Sequence, residues 1–84
     1  GPGIVDLKSS KPYRNGVPYT KVLVQCGGYA RIRSESSPVN WVEVWRLGKS
    51  PKDEGDVYGV RDLHACIRAF EGAVEQYYRL LRVS

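Results

Sequence analysis

From Asp62 to Arg82 the chain sets apolar residues at Leu63, Ile67, Phe70, Val74, Tyr77 and Leu81, in steps of 4, 3, 4, 3 and 4. That spacing is one stripe of an α-helix, widened by Cys66, Ala73 and Leu80. Arg68, Glu71, Glu75, Gln76, Arg79 and Arg82 fill the polar side. Asp62 is placed to cap the first turn, and Arg79 and Arg82 to meet the negative end of the helix dipole. Gly72 is the weak point, costing about 1 kcal/mol against Ala. At 1.5 Å per residue the rod is about 30 Å long. A helix with such a stripe has to lie on something.

The preceding residues read as its support. Tyr19 to Cys26 alternates Val22, Val24 and Cys26 with Lys21, Leu23 and Gln25, the period of a strand. Gly27-Gly28 suits a tight hairpin, because glycine accepts the positive φ of such turns. Tyr29 to Glu35 then returns as a second strand, and Ser36-Ser37-Pro38 makes a turn. Asn40 to Leu47 is a third strand, with Val42 and Val44 on one face and Trp41, Glu43 and Trp45 on the other. Gly48 to Asp56 is a polar, mobile loop, and Val57 to Val60 a short fourth strand. The fold expected is α+β: a four-stranded antiparallel meander followed by one long C-terminal helix packed on one face, ββββα. Residues 1–18 are expected as a flexible N-terminal arm, with room for a short strand at Ile4 to Leu7. Gly1-Pro2-Gly3 reads as a protease-cleavage scar. Residues 19–84 are then the single ββββα domain.

Eighty-four residues make one domain, and a domain this small is marginal as a monomer, so a homodimer is expected. Cys26 and Cys66 permit one disulfide at most. With no secretory signature they read as buried thiols of an intracellular protein, nuclear or cytoplasmic. No apolar run reaches the roughly 18 residues of a membrane span, so no membrane partner is expected. The net charge of +4 is mildly basic and fits a phosphate-binding surface without requiring one.

The argument with most weight is one of coverage. One helix covers one face of a four-stranded sheet. If Val42 and Val44, with Val22, Val24 and Ile32, form the covered face, the opposite face carries Trp41 and Trp45 with Tyr29, Arg31 and Arg33. Rings between arginines form a platform on which single-stranded bases stack, at roughly 1–3 kcal/mol each. A second reading buries the same tryptophans in a dimer interface. A third swaps the faces and puts them under the helix.

No catalytic constellation emerges. His64 is the only histidine, and with Cys66 two residues away on a helix it shares no face. Cys66 has no second histidine to activate it. Asp53, Glu54 and Asp56 lack the spacing of a calcium loop, and Gly27-Gly28 is too short for a phosphate loop. No enzyme activity, metal or cofactor is expected.

Tyr29-Ala30-Arg31-Ile32-Arg33, followed after a gap by Trp41-Val42-Glu43-Val44, is similar to the paired strands of a Pur-type single-stranded nucleic-acid-binding repeat. Ile67 to Tyr78 resembles the helix that closes such a repeat, and the whirly and transcriptional positive-coactivator families are more distantly alike. The likeness covers residues 19 to 82 and departs at Ser36-Ser37-Pro38-Val39, where Pur repeats carry a basic, glycine-containing turn. The resemblance implies that two units pair into the binding body. Two functions follow as expectations. The first is a homodimeric single-stranded DNA- or RNA-binding domain. Arg31, Arg33 and Arg46 contact phosphates, Tyr29, Trp41 and Trp45 stack bases, and Phe70, Val74, Tyr77, Tyr78 and Leu81 form the dimer interface. The second is a protein-interaction or dimerisation module for which nucleic acid is irrelevant.

Overall fold

The structure, a computed structural model, describes residues 2–83. Gly1, first residue of the expected scar, and Ser84, last of the expected domain, lie outside the described residues. The elements are β1 (Gly3–Ser9), α1 (Thr20–Arg33), β2 (Trp41–Leu47), β3 (Asp56–Gly59) and α2 (Leu63–Val83). The strands form one sheet in the order β1-β2-β3. β1 runs parallel to β2, with Gly3 opposite Trp41 and Leu7 opposite Trp45. β3 runs antiparallel to β2, with Val57 opposite Trp45. A parallel pair needs a crossover, and α1 supplies it. The expected four-stranded meander with one helix is therefore corrected to three strands and two helices.

The correction lies in residues 19–35. Val22, Val24 and Cys26 do alternate, but Val22, Cys26 and Ala30 are also spaced by four, and those are the residues that α1 buries. Gly27 and Gly28 serve a helix crossing, not a hairpin. A Cβ on Gly27 would overlap the backbone carbonyl of Cys66, and one on Gly28 would overlap the Phe70 ring. Glycine costs about 1 kcal/mol in a helix interior. Here the bare backbone lets α2 seat directly on α1, and tertiary packing overrides the local preference.

The N-terminal segment also differs from the expected arm. Gly3–Ser9 is a full strand of the sheet, and the backbone N–H of Asn40 donates to the Pro2 carbonyl at 2.8 Å. Tyr13 is buried edge-on to Tyr19, with ring centres 4.9 Å apart, and tilted against Tyr58 at 5.5 Å. α2 runs almost over the span its stripe predicts, and Asp62 Oδ1 accepts from the Ala65 N–H at 2.9 Å as its cap.

Val22, Cys26 and Ala30 of α1 meet Val42 and Val44 of β2 in the core, with Ile4, Leu63 and Ile67 packed around them. Each such side chain is worth roughly 1.5–3 kcal/mol when fully buried. Both helices thus serve one face of the sheet.

Two of the three helical glycines, Gly27 and Gly72, give opposite expectations. Gly27→Ala should lower the melting temperature, because its new methyl meets backbone at the crossing. Nothing lies near a Cβ on Gly72, so Gly72→Ala should raise stability by about 1 kcal/mol, or about 4–8 °C. Thermal unfolding followed by circular dichroism measures both.

Candidate interaction surface

Period two on β2 sorts its side chains. Val42, Val44 and Arg46 are buried, while Trp41, Trp45 and Leu47 are exposed on the other side. The ladder carries the exposed set across the sheet: Leu7, Trp45 and Val57 sit in one row, with Val5 opposite Glu43 in the next. Trp41 is 40 % and Trp45 41 % exposed. The Trp41 ring lies over Gly3, where a Cβ would strike it. Trp45 Nε1 donates to Glu43 Oε1 at 3.0 Å, which holds the indole across its own strand. Glu43 is the one ionisable side chain that the ladder places on this outer face. Among the described residues that the ladder places there, the face is apolar and aromatic and carries no cation.

The expected site divides accordingly. Trp41 and Trp45 share the uncovered face, as the coverage argument required. Tyr29, Arg31 and Arg33 lie on α1, not on the sheet. Arg31 is paired with Glu35 at 3.3 Å and with Glu71 of α2 at 3.6 Å. Arg46 is 3 % exposed and points into the protein. Its Nε donates to Asp56 at 2.8 Å; Nη1 donates to Asp53 at 2.6 Å and to the Ser10 carbonyl at 2.9 Å; Nη2 donates to Asp53 at 2.8 Å and to Asp56 at 2.6 Å. A guanidinium has five N–H donors, so none is left for a phosphate. The sequence reading missed Val5, Leu7, Leu47 and Val57 on the outer face. The signal was available: Val5 and Leu7 alternate with Asp6 and Lys8.

Arg46 also fixes the loop expected to be mobile. Asp53 accepts from the Gly55 N–H at 3.0 Å, and Gly55 adopts a positive φ of 80° where a Cβ would strike the Arg46 carbonyl. Hydrogen bonds from Arg46 and then from the Gly55 backbone hold the Asp53 carboxyl down at about 2. The carboxylates in turn push Arg46 further above its ordinary range, Asp53 first and then Asp56.

The second uncovered surface is the distal half of α2. Phe70 packs at the Gly28 crossing, but Tyr77, Tyr78, Leu80 and Leu81 are exposed. The total accessible surface is 6391 Å². Surface-to-mass scaling gives about 5,000 Å² for a compact monomer of 9.4 kDa. The radius of gyration is 14.6 Å, against about 12 Å for a compact chain of this length. The molecule exposes a partner-sized surplus of surface.

A cleft of about 630 Å³ opens between Val17 and Pro18, β3 and the start of α2, with Leu23, Ala65 and Cys66 in its lining. Both cysteines are free. Burial, then the nearby Asp6, pushes the Cys26 thiol up to about 11, and burial raises Cys66 as well. Neither is a ready nucleophile at neutral pH. Among the described residues, no group of His, Cys, Asp or Glu could hold a metal ion, and no helix is long and apolar enough to cross a membrane.

Comparison with family models, curated proteins and solved structures finds no match for this chain.

The Arg46 clasp predicts a pH dependence. Asp53 has a folded pKa below its ordinary value of 3.8, so its contribution is complete above about pH 4 and is lost as pH falls from about 4 to about 2. Denaturant midpoints measured from pH 6 to pH 2 should fall across that window in the wild type. Asp53→Asn should be less stable at pH 7 and show a flatter profile below pH 4.

Proposed function

We propose that this domain is a protein-interaction module whose docking surface is the outer face of the sheet. The observation that carries the reading is the composition of that face: Trp41, Trp45, Val5, Leu7, Leu47 and Val57, with a single carboxylate among them. Tryptophan-centred apolar patches are what protein interfaces bury at their core. A single-strand platform needs cations beside its rings to hold phosphates, and the arginines expected there lie elsewhere: Arg46 is held by Asp53 and Asp56, and Arg31 and Arg33 sit on α1. The partner suited to this face presents aliphatic or aromatic side chains and one Lys or Arg toward Glu43.

A displayed peptide library tests this. Selection on the wild type, with counter-selection on Trp45→Ser/Val57→Ser, should enrich amphipathic peptides carrying a basic residue. Their affinity should fall at least tenfold for the double variant, whose fold is verified by circular dichroism. Oligonucleotides should leave the tryptophan emission unchanged at low salt. Peptides that bind both proteins equally, or a salt-sensitive quench by single-stranded DNA, would overturn the reading.

A further inference from the structure

The stripe on α2 has a stricter period than a helix lying on a sheet requires. Its steps of 4, 3, 4, 3 and 4 are a heptad pattern, which suits a partner helix. The first half meets that requirement inside the chain: Cys66 and Phe70 lie against Gly27 and Gly28 of α1. The pattern then continues beyond the crossing, and Tyr77 and Leu81 are left 59 % and 52 % exposed. Tyr78 and Leu80 flank them, also exposed, so the apolar face is continuous. Arg79 and Glu75 pair with each other at 2.7 Å on the polar side and take no part in it.

We infer that the distal half of α2 pairs antiparallel with the same segment of a second copy, Tyr77 of each facing Leu81 of the other. The occupant is a helix because the heptad calls for one, and within the chain α1 has already been used. The surface surplus of about 1,400 Å² per copy belongs to the whole molecule, and the exposed Tyr77, Tyr78, Leu80 and Leu81 contribute to it together with the outer sheet face. The orientation follows from where α1 sits. It lies on the stripe face of the first half of α2, so in a parallel pair the two α1 helices would be wedged between the α2 helices and hold them apart. In the antiparallel pair most of each α1 lies beyond the end of the partner's helix, with Val24 and Gln25 bordering the groove along Val74 and Tyr77 where that helix ends. Two-fold symmetry then matches the apolar surfaces: Leu80 of one copy lies beside Leu80 of the other on one side of the seam, and Tyr78 beside Tyr78 on the other. No like charges meet at the seam, since Arg79 and Glu75 face away from it.

This inference is independent of the outer sheet face, which lies across the sheet from the helices and stays open in such a dimer. Sedimentation of the wild type at about 200 µM should give twice the chain mass. Tyr77→Lys/Leu81→Lys changes two exposed positions, keeps the circular dichroism spectrum and should sediment as a monomer. Trp45→Ser should remain a dimer. In a Cys66→Ser background, Tyr77→Cys and Leu81→Cys should cross-link under mild oxidation when mixed, at least tenfold faster than either variant alone. A monomeric wild type would overturn the inference. So would a dimer that survives the double lysine variant, or cross-linking of each cysteine variant with itself, the mark of a parallel pair.

Discussion

A guanidinium with every donor engaged closes one end of this small sheet. Arg46 leaves β2 on the buried side and gathers three separate pieces of chain: the Ser10 carbonyl just after β1, Asp53 in the β2–β3 loop, and Asp56 at the start of β3. A charge taken out of water is tolerated only when paired and fully hydrogen-bonded. The constraint therefore works in both directions. Arg46 cannot occupy its place unless the loop folds back over it, and the loop's own turns, Asp53 N–H to the Ser50 carbonyl and Gly55 N–H to Asp53, present the carboxylates to it. The clasp also sets which strand edges meet, because Asp56 lies opposite Arg46 in the β2–β3 ladder. Two carboxylates against one guanidinium leave the cluster net negative, so it functions as a fastening and not as an anion site.

The clasp explains what could and could not be read from the residues. Once Val42 and Val44 are assigned to the buried side of a strand, period two places Arg46 beside them, and a buried arginine requires acidic partners within reach. Asp53 and Asp56 follow within ten residues. The loop's acidity carried that information, yet the same three carboxylates are equally compatible with a solvated turn. The long helix was legible because its period is unmistakable and its cap conventional. α1 was not, because Val22, Val24 and Cys26 satisfy a two-residue period and Val22, Cys26 and Ala30 a four-residue one. The paired glycines tipped the local reading toward a hairpin. What decides between the two is the carbonyl of Cys66, 39 residues after Gly27, and no local rule reaches that far. The ββββα order, read from the residues and the ground of the Pur-type resemblance, rested on the same hairpin and is corrected with it.

The division of the sheet into a covered and an open face survived that error, because it depends on β2 alone. Val42 and Val44 cannot share a side with Trp41 and Trp45 whatever the neighbouring strands do. Replacing the expected hairpin by a crossover helix changed the neighbours. Tyr29 and two arginines left the sheet, and Val5, Leu7 and Val57 took their places beside the tryptophans. The chemistry of the face moved from cationic-aromatic to apolar-aromatic. One misassigned segment thus altered the function that the surface suits while leaving its existence intact.

Placing both helices on one side has a further consequence. A three-stranded sheet offers too little area to seat two helices along their full lengths, and α1 takes the central position as the crossover. α2 is left to cross α1 and run past it. The close contact at Gly27 and Gly28 anchors that crossing near the first third of α2, so the rest of the rod must project. The uncovered stripe is therefore a product of the topology and not of a weak sequence. Shortening α2 would remove the exposed residues without touching the core of Val22, Cys26, Ala30, Val42 and Val44. The chain instead continues for three more apolar positions, Val74, Tyr77 and Leu81, in unbroken heptad register. Val74 still lines grooves with Val24 and Ile32 of α1, while Tyr77 and Leu81 are more than half exposed. Their regularity continues the heptad past the α1 crossing, and a second helix is the shape that such regularity fits.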